Sequence, residues 1–302
     1  MKTVIETRSL TKKFGAKTIL AQIDLDVPAG SIYAYLGPNG AGKTTTIKTM
    51  VNILRPTRGT VKILGVDSTA LDAKEFRQIG YVSENQVLPE GMTANALFDY
   101  CRPMYPQWDE GFCQSLTRQF DLPCDEPIEK LSRGMKMKAA LIASLAYRPK
   151  LLILDEPFSG LDPVARKDLM DGIMELTGTE EWTIFISSHD IEEVEHLADW
   201  VGFLHKGQLK LSETTESLQA RFKRINITLK NPLESEVPFP ANWLLPQQEG
   251  RFLCFVDNSF QPGESEKQYR KGLPAVSTIE IQGMSLKEIF LIQARQLKML
   301  NI

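Results

Sequence analysis

An α/β fold organised around a buried parallel sheet is predicted by three features of the sequence. The apolar run IYAYL ends in a glycine-rich turn that opens a helix at Lys43. Two more apolar runs, LLILD and WTIFISS, are separated by the helix-like stretch Pro163 to Leu176. A strand, a glycine-rich turn and a helix in that order begin an α/β unit, and near-continuous apolar runs read as strands covered on both faces.

The elements follow in order. Thr3 to Thr11, Gln22 to Val27 and Ser31 to Leu36 are strand-like, Lys43 to Asn52 is helical, and Gly59 to Leu64 returns to strand, so the N-terminal part is β-rich. From Pro89 to Tyr147 the character changes: Ala94 to Met104, Asp109 to Phe120 and Gly134 to Tyr147 are helix-like and are broken by Pro103, Pro106, Pro123 and Pro127, which predicts a helical insertion over 89–147. The α/β pattern then resumes. From about residue 221 it gives way to INITL, a proline-containing stretch from Pro232 to Pro246, FLCFVD, VSTIEIQ and a helical tail from Ser285 to Leu300. The expected organisation is therefore a domain over 1–220 and a small α+β appendix over 221–302.

The chain has 302 residues, 42% hydrophobic and 24% charged, which is the balance of an ordinary globular protein and allows about two domains. Lys and Arg number 35 against 38 Asp and Glu, a net charge of −3, which argues against a dedicated nucleic-acid binder. No run of apolar residues is long enough to span a membrane, and the start MKTVIETRSL carries no apolar secretory segment. Cys101, Cys113, Cys124 and Cys254 form no CxxC pair, so reduced thiols are expected.

GPNGAGKTT matches G-x-x-x-x-G-K-[ST] and lies between a strand and a helix, where such a loop must be to cradle phosphates. Gly37, Pro38, Asn39, Gly40, Ala41, Gly42, Lys43, Thr44 and Thr45 are the candidate phosphate-binding residues. The glycines let the backbone wrap a triphosphate, with N–H groups and the positive helix end aimed at its oxygens. Lys43 can reach the β- and γ-phosphates, and the Thr44 hydroxyl can ligate Mg²⁺. Hydrolysis also needs a carboxylate for the metal and another for the water. LLILDEP offers both at the end of a buried strand: Asp155 for the metal, and Glu156, expected to point the other way by strand alternation, for the lytic water.

With these motifs in hand, the chain resembles the ATP-binding subunits of ABC transporters, exporter-type branch. KLSRGMKMK is similar to the signature segment, LLILDEP to the Walker B strand, SGLDP to the D-loop and ISSHD to the switch-histidine segment, in the family's order and over residues 3 to about 220. The resemblance implies a P-loop NTPase cassette, ATP hydrolysis, and ATP with Mg²⁺. It implies that Phe14 stacks on adenine, where Tyr is commoner, and that Asp162 helps couple two active sites. It also implies that His189 contacts the γ-phosphate and holds Glu156 and the water in register. Glu84 stands where the family has the Q-loop glutamine, as a possible metal ligand, with Gln86 two residues later. Ser132 and Gly134 keep the signature's phosphate contacts, whereas Arg133 and Met135 replace its first glycine and its glutamine. In HDIEEVEH the histidines are seven apart and do not form HExxH, so Glu192, Glu193 and Glu195 are read as a solvated helix face.

In the family a signature segment serves the opposite subunit, and this chain has one of each motif. The resemblance thus implies a second ATP-binding subunit, a separate transmembrane permease contacted near Glu84 and Pro89 to Leu122, no nucleic acid, and a peripheral place on the cytoplasmic face of the membrane. Two other readings stay open: a soluble ABC-type ATPase outside transport, and a regulatory ATP-binding subunit with weak hydrolysis, the latter motivated by Glu84, Arg133 and Met135.

Overall fold

The computed structural model describes residues 2–179, 182–232 and 239–299. Part of the expected proline-containing stretch (233–238) and Leu300, the expected end of the tail helix, lie outside the described residues. The chain divides into two units, Met1–Ser212 and Glu213–Ile302, so the second begins ahead of the expected residue 221.

The first unit opens with a hairpin of β1 (Thr3–Phe14) and β2 (Lys17–Pro28). Its register shifts at several places, and Ser9 and Gln22 adopt positive φ. Such bulges break the period-two pattern, which is why the sequence shows only Gln22 to Val27 of a strand that starts at Lys17. Next come β3 (Ile32–Leu36), α1 (Lys43–Met50), β4 (Arg58–Ile63), β5 (Val66–Asp67), α2 (Ala73–Phe76) and β6 (Ile79–Ser83). The insertion supplies α3 (Ala94–Cys101), α4 (Glu110–Gln119) and α5 (Arg133–Leu145). Helix α3 stops short of the expected Met104 because Pro103 turns the chain into a 3₁₀ segment, Arg102–Met104. The unit continues with β7 (Leu151–Asp155), α6 (Pro163–Thr179), β8 (Thr183–Ser188), β9 (Trp200–His205) and β10 (Gln208–Thr214).

One sheet has the order β2-β1-β4-β5 and the other β10-β9-β3-β8-β7-β6. In the second, β3 pairs in parallel with both β8 and β9, and β6, β7 and β8 are parallel neighbours. All residues of β3, β7 and β8 are buried, as their unbroken apolar runs require. Because β3 is flanked by strands far away in sequence, the loop leaving its C-terminal end emerges in mid-sheet, where α/β folds place ligands. Tyr33 stacks against Phe185 at 5.6 Å, Tyr35 packs at a tilt on the same ring at 5.3 Å, and the Tyr35 hydroxyl lies 3.3 Å from Thr46 Oγ1, fixing the start of α1 to the sheet. In the six-stranded sheet, β6, β9 and β10 go beyond the sequence reading; β6 is short and carries Gly80, where an added Cβ would lie 2.8 Å from Leu152 Cδ1.

The second unit contains α7 (Thr215–Arg221), β11 (Lys223–Leu229), β12 (Trp243–Glu249), β13 (Phe252–Asp257), α8 (Glu264–Gly272), β14 (Val276–Gly283) and α9 (Leu286–Met299). Its antiparallel sheet runs β12-β13-β11-β14. Trp243 stacks on Phe255 at 4.0 Å, and the Tyr269 hydroxyl donates to buried Asp257 at 2.5 Å. Among the described residues, no helix is long and apolar enough to cross a membrane, and all four cysteines are free thiols.

Candidate functional site

The loop after β3 is shaped by steric limits. A Cβ on Gly37 would fall 2.4 Å from the carbonyl of Leu204, and one on Gly42, at φ +114°, 2.6 Å from Leu20. Gly40 also needs its positive φ of +79°. The Ala41 N–H donates to Pro38 O at 3.0 Å, Gly207 N–H to Ala41 O at 2.9 Å, and Gly37 N–H to Ser188 O at 3.2 Å, so the loop is tied to the ends of its neighbours. Pro38, Asn39 and Gly40 are exposed at the rim. Thr45 helps continue α1, its carbonyl accepting from Thr49 Oγ1 at 2.8 Å. Gly42 caps α1 without a side chain, which leaves the first N–H groups of the helix free to bind an anion.

Lys43 is buried, and its ammonium donates to Gly37 O at 2.6 Å and Pro38 O at 3.3 Å while standing 3.0 Å from Glu156 Oε1. The next residue, Thr44, donates its hydroxyl to Asp155 Oδ1 at 3.2 Å, and Ser187 donates to the same oxygen at 2.6 Å. Burial raises the Asp155 carboxyl above its usual range; the bonds from Ser187 and Thr44 oppose this, and the charges of Glu156 and Glu84 add to it. Glu156 corrects the alternation expectation. Strand β7 ends at Asp155, and Glu156 takes φ +52°, which swings its carboxylate to Lys43 next to Thr44, so both acids converge on one turn. A non-glycine residue held in this region is strained, and neighbours must hold it: its N–H lies 3.2 Å from Ser187 O and 3.1 Å from Ser187 Oγ. His189 completes the group, with Nδ1 2.8 Å and its backbone N–H 3.3 Å from Glu156 Oε2.

These residues suit a divalent cation. Thr44 and Asp155 present adjacent hard oxygen donors, and the buried, charge-crowded Asp155 carboxylate is one that a cation would relieve. Among the described residues, no cluster of three or more His, Cys, Asp or Glu could hold a metal alone, so such a site needs phosphate oxygens and water as well.

The remaining candidates lie apart. Among the described residues, Phe14, Ser132, Gly134 and Asp162 make no hydrogen bond or ion pair with this group. Phe14 is 50% exposed, with Lys12 Nζ 4.9 Å from its ring centre. Ser132 caps α5 by accepting from Met135 N–H at 3.2 Å. Gly134 is buried where a Cβ would come 3.0 Å from Ala165, so its lack of a side chain lets α5 approach α6. Asp162 caps α6, accepting from Val164 and Ala165 N–H at 3.0 Å each, and these bonds lower its pKa. Glu84 accepts from Ser159 Oγ at 2.8 Å, and Gln86 turns back to accept from Ser83 N–H at 3.3 Å.

Glu193 is a second correction. It is 3% exposed, not part of a solvated face, because Asp190 caps a 3₁₀ turn, Ile191–Glu193, that carries the side chain inward. The available signal was its place beside the apolar Ile191, Val194 and Leu197. Ser187, which holds Asp155 and Glu156, had no sequence signal beyond lying just ahead of His189.

Residues 20–159 match the family model described as ABC transporter. The chain is 34% identical over 223 residues to the lantibiotic transport ATP-binding protein SrtF of Streptococcus pyogenes, covering 72% of this chain and 96% of the relative. It is 34% identical over 211 residues to the bacitracin transport ATP-binding protein BcrA of Bacillus licheniformis, covering 69% of each. A solved structure described as an ATP-binding subunit of an ABC transporter superposes with a TM-score of 0.65 at 29% identity, over 72% of this chain and 92% of that one. A phosphate loop at mid-sheet, with a paired Asp and Glu and a histidine beside it, is thus found in a chain of matching sequence and fold: the protein belongs to the ATP-binding subunits of ABC transporters and is an ATPase that powers transport.

Proposed function

We propose that this ATPase, with Mg²⁺ on its nucleotide, works as one of two paired ATP-binding subunits on the cytoplasmic membrane face and drives export of a peptide, drug or lipid through a separate permease. The observation that carries the reading is the convergence of Lys43, Thr44, Asp155, Glu156 and His189 on the loop after β3. The names of SrtF and BcrA, which refer to transport of a lantibiotic and of bacitracin, support a substrate of that kind.

Thr44 and Asp155 would hold the metal, with Glu84 as a further oxygen donor. When bound, the ion neutralises charge on the β- and γ-phosphates. Lys43 exchanges the carbonyls of Gly37 and Pro38 for phosphate oxygens. Glu156 accepts the proton of the attacking water, and His189 holds it through Nδ1, leaving its other ring nitrogen for the γ-phosphate. Ser132 and Gly134 are directed to the nucleotide of a second subunit, a role supported by their place at the start of α5, where their contacts are with Met135 and Ala165 rather than with residues of their own loop.

A cleft of about 410 Å³ suits the permease. Ile53, Phe76, Tyr81, Leu88, Tyr105 and Tyr147 line it, and Ile53 and Phe76 are 57% and 37% exposed, which is costly for apolar side chains left uncovered.

The test has two arms. Glu156→Gln should lower ATP turnover by about 10²–10⁴-fold and accumulate as an ATP-dependent dimer; equal rates in parent and variant would defeat the catalytic assignment. Ile53→Asp with Phe76→Asp should leave the ATPase rate of the isolated chain unchanged while removing the chain from membranes that contain its permease. Retention there would move the docking site elsewhere.

A further inference from the structure

Glu193 is a buried carboxylate that none of the motifs explains. Its Oε2 lies 2.5 Å from Ser188 Oγ, which also accepts from the Asp190 N–H at 3.0 Å, and its Oε1 lies 3.7 Å from Arg166 Nη1. Burial raises its pKa; Ser188 and Arg166 oppose the rise, and Asp190 and Glu156 add to it. Burying a carboxylate is expensive unless its partners are well placed. Here the partners come from two segments, one adjoining His189 and the other at the start of α6. Ser188 immediately precedes His189, and its carbonyl accepts from Gly37 N–H at the start of the phosphate loop. Arg166 lies in the first turn of α6, where its N–H donates to the carbonyl of Asp162 at 2.9 Å. The Arg166 Nε is buried and, among the described residues, has no hydrogen-bond partner, so the guanidinium is held there chiefly by the carboxylate.

We propose that Glu193 is a positioning residue for hydrolysis: it fixes Ser188, and through the backbone His189 above Glu156, and it ties that setting to the start of α6 through Arg166. A shift of the Ser159–Asp162 segment thereby reaches His189 through one ion pair and one hydroxyl contact. The inference rests on the role assigned above to His189.

Glu193→Gln tests it, since the amide keeps the size and an acceptor for Ser188 but loses the charge facing Arg166. Loss of one charge-assisted contact of this kind should lower kcat about tenfold, with KM for ATP within about twofold and little change in Tm. In the combined variant with His189→Ala there should be no further loss beyond that of His189→Ala alone. A second readout needs no turnover: the chain has three histidines, and in ¹⁵N-imidazole spectra of the nucleotide-free protein the His189 signal should shift in Glu193→Gln while those of His196 and His205 stay in place. If His189→Ala is impaired and Glu193→Gln keeps the parent kcat, or if the two losses multiply, the positioning role is overturned while the reading of His189 stands. If His189→Ala itself turns over normally, both fall together.

Discussion

Arg133 Nη2 stands 3.6 Å from Glu84 Oε1, which pairs the two charged residues that depart from the family pattern in the Q-loop and the signature. The same Glu84 oxygen accepts from Ser159, and the Arg133 guanidinium lies over Gly160, where a Cβ would meet Nη1 at 2.6 Å. The two substitutions therefore bracket the Ser159–Asp162 segment and compensate each other in charge. Both side chains are partly exposed, so the pair is worth only about 0.2–1 kcal/mol.

Its consequence is a coupling between the two sites. Arg133→Gly leaves Glu84 as an uncompensated charge near Asp155, and Glu84→Gln leaves Arg133 without its partner. The double variant, which restores the family's residues together, should retain an ATPase rate about 2–5-fold above the product of the single-variant effects. Rates that simply multiply would show that the pair is incidental.

Asp155→Asn should stabilise the nucleotide-free chain while weakening its response to Mg²⁺. Asparagine keeps an acceptor for Ser187 and Thr44 and removes a buried charge. Because the folded-state pKa of Asp155 is raised, its relative stability is complete below the ordinary carboxylate pKa and is lost as pH rises through the folded value. The variant should therefore melt about 2–4 °C higher at pH 7, with the gap narrowing as pH falls toward 4 and Asp155 takes up its proton in the parent. Thermal scans across that range, with and without MgATP, decide it; a lower Tm for the variant at pH 7 would contradict the account.

The phosphate loop, the Asp155–Glu156 pair and His189 could be read from the sequence because their chemistry fixes residue types at short spacings. The buried strands at their backs could be read because apolar runs are unambiguous. Other features depended on contacts between distant segments. Glu193 looked like one more acid in a charged run, since its burial depends on the 3₁₀ turn and on Arg166 reaching across from α6. Alternation does not predict the direction of Glu156, because the strand stops at Asp155 and a left-handed residue follows. Gly134 and Ser132 have structural duties that their motif does not reveal, namely packing against Ala165 and capping α5.

Lys43 should matter for folding as well as for nucleotide. In the absence of phosphate its ammonium is the buried counter-charge of Glu156, the two side chains being 5% and 7% exposed. Lys43→Ala leaves that carboxylate in a dry site, a loss that typically costs about 3 kcal/mol and should lower Tm on the order of 10 °C. Adding Glu156→Gln removes the stranded charge and should recover most of the melting temperature without restoring ATP binding. A double variant that melts as low as the single one would assign the loss to packing rather than charge.

Phe14 gives the most selective test of how the base is held. It closes β1 at the hairpin, with Lys12 Nζ 4.9 Å from its ring centre, yet half its surface faces solvent. Stacking of a base on an aromatic face is worth about 1–3 kcal/mol and acts equally in ground and transition states. Removing the ring should therefore raise KM for ATP roughly tenfold and leave kcat in place. Tyrosine offers the same face, so Phe14→Tyr should keep the parent KM and Phe14→Ala should not. Since every purine presents a π-face, the penalty for Phe14→Ala should be the same with GTP as with ATP. Steady-state kinetics with both nucleotides separate the possibilities: a loss confined to ATP would point to edge recognition by other groups, and an unchanged KM would remove Phe14 from the nucleotide site.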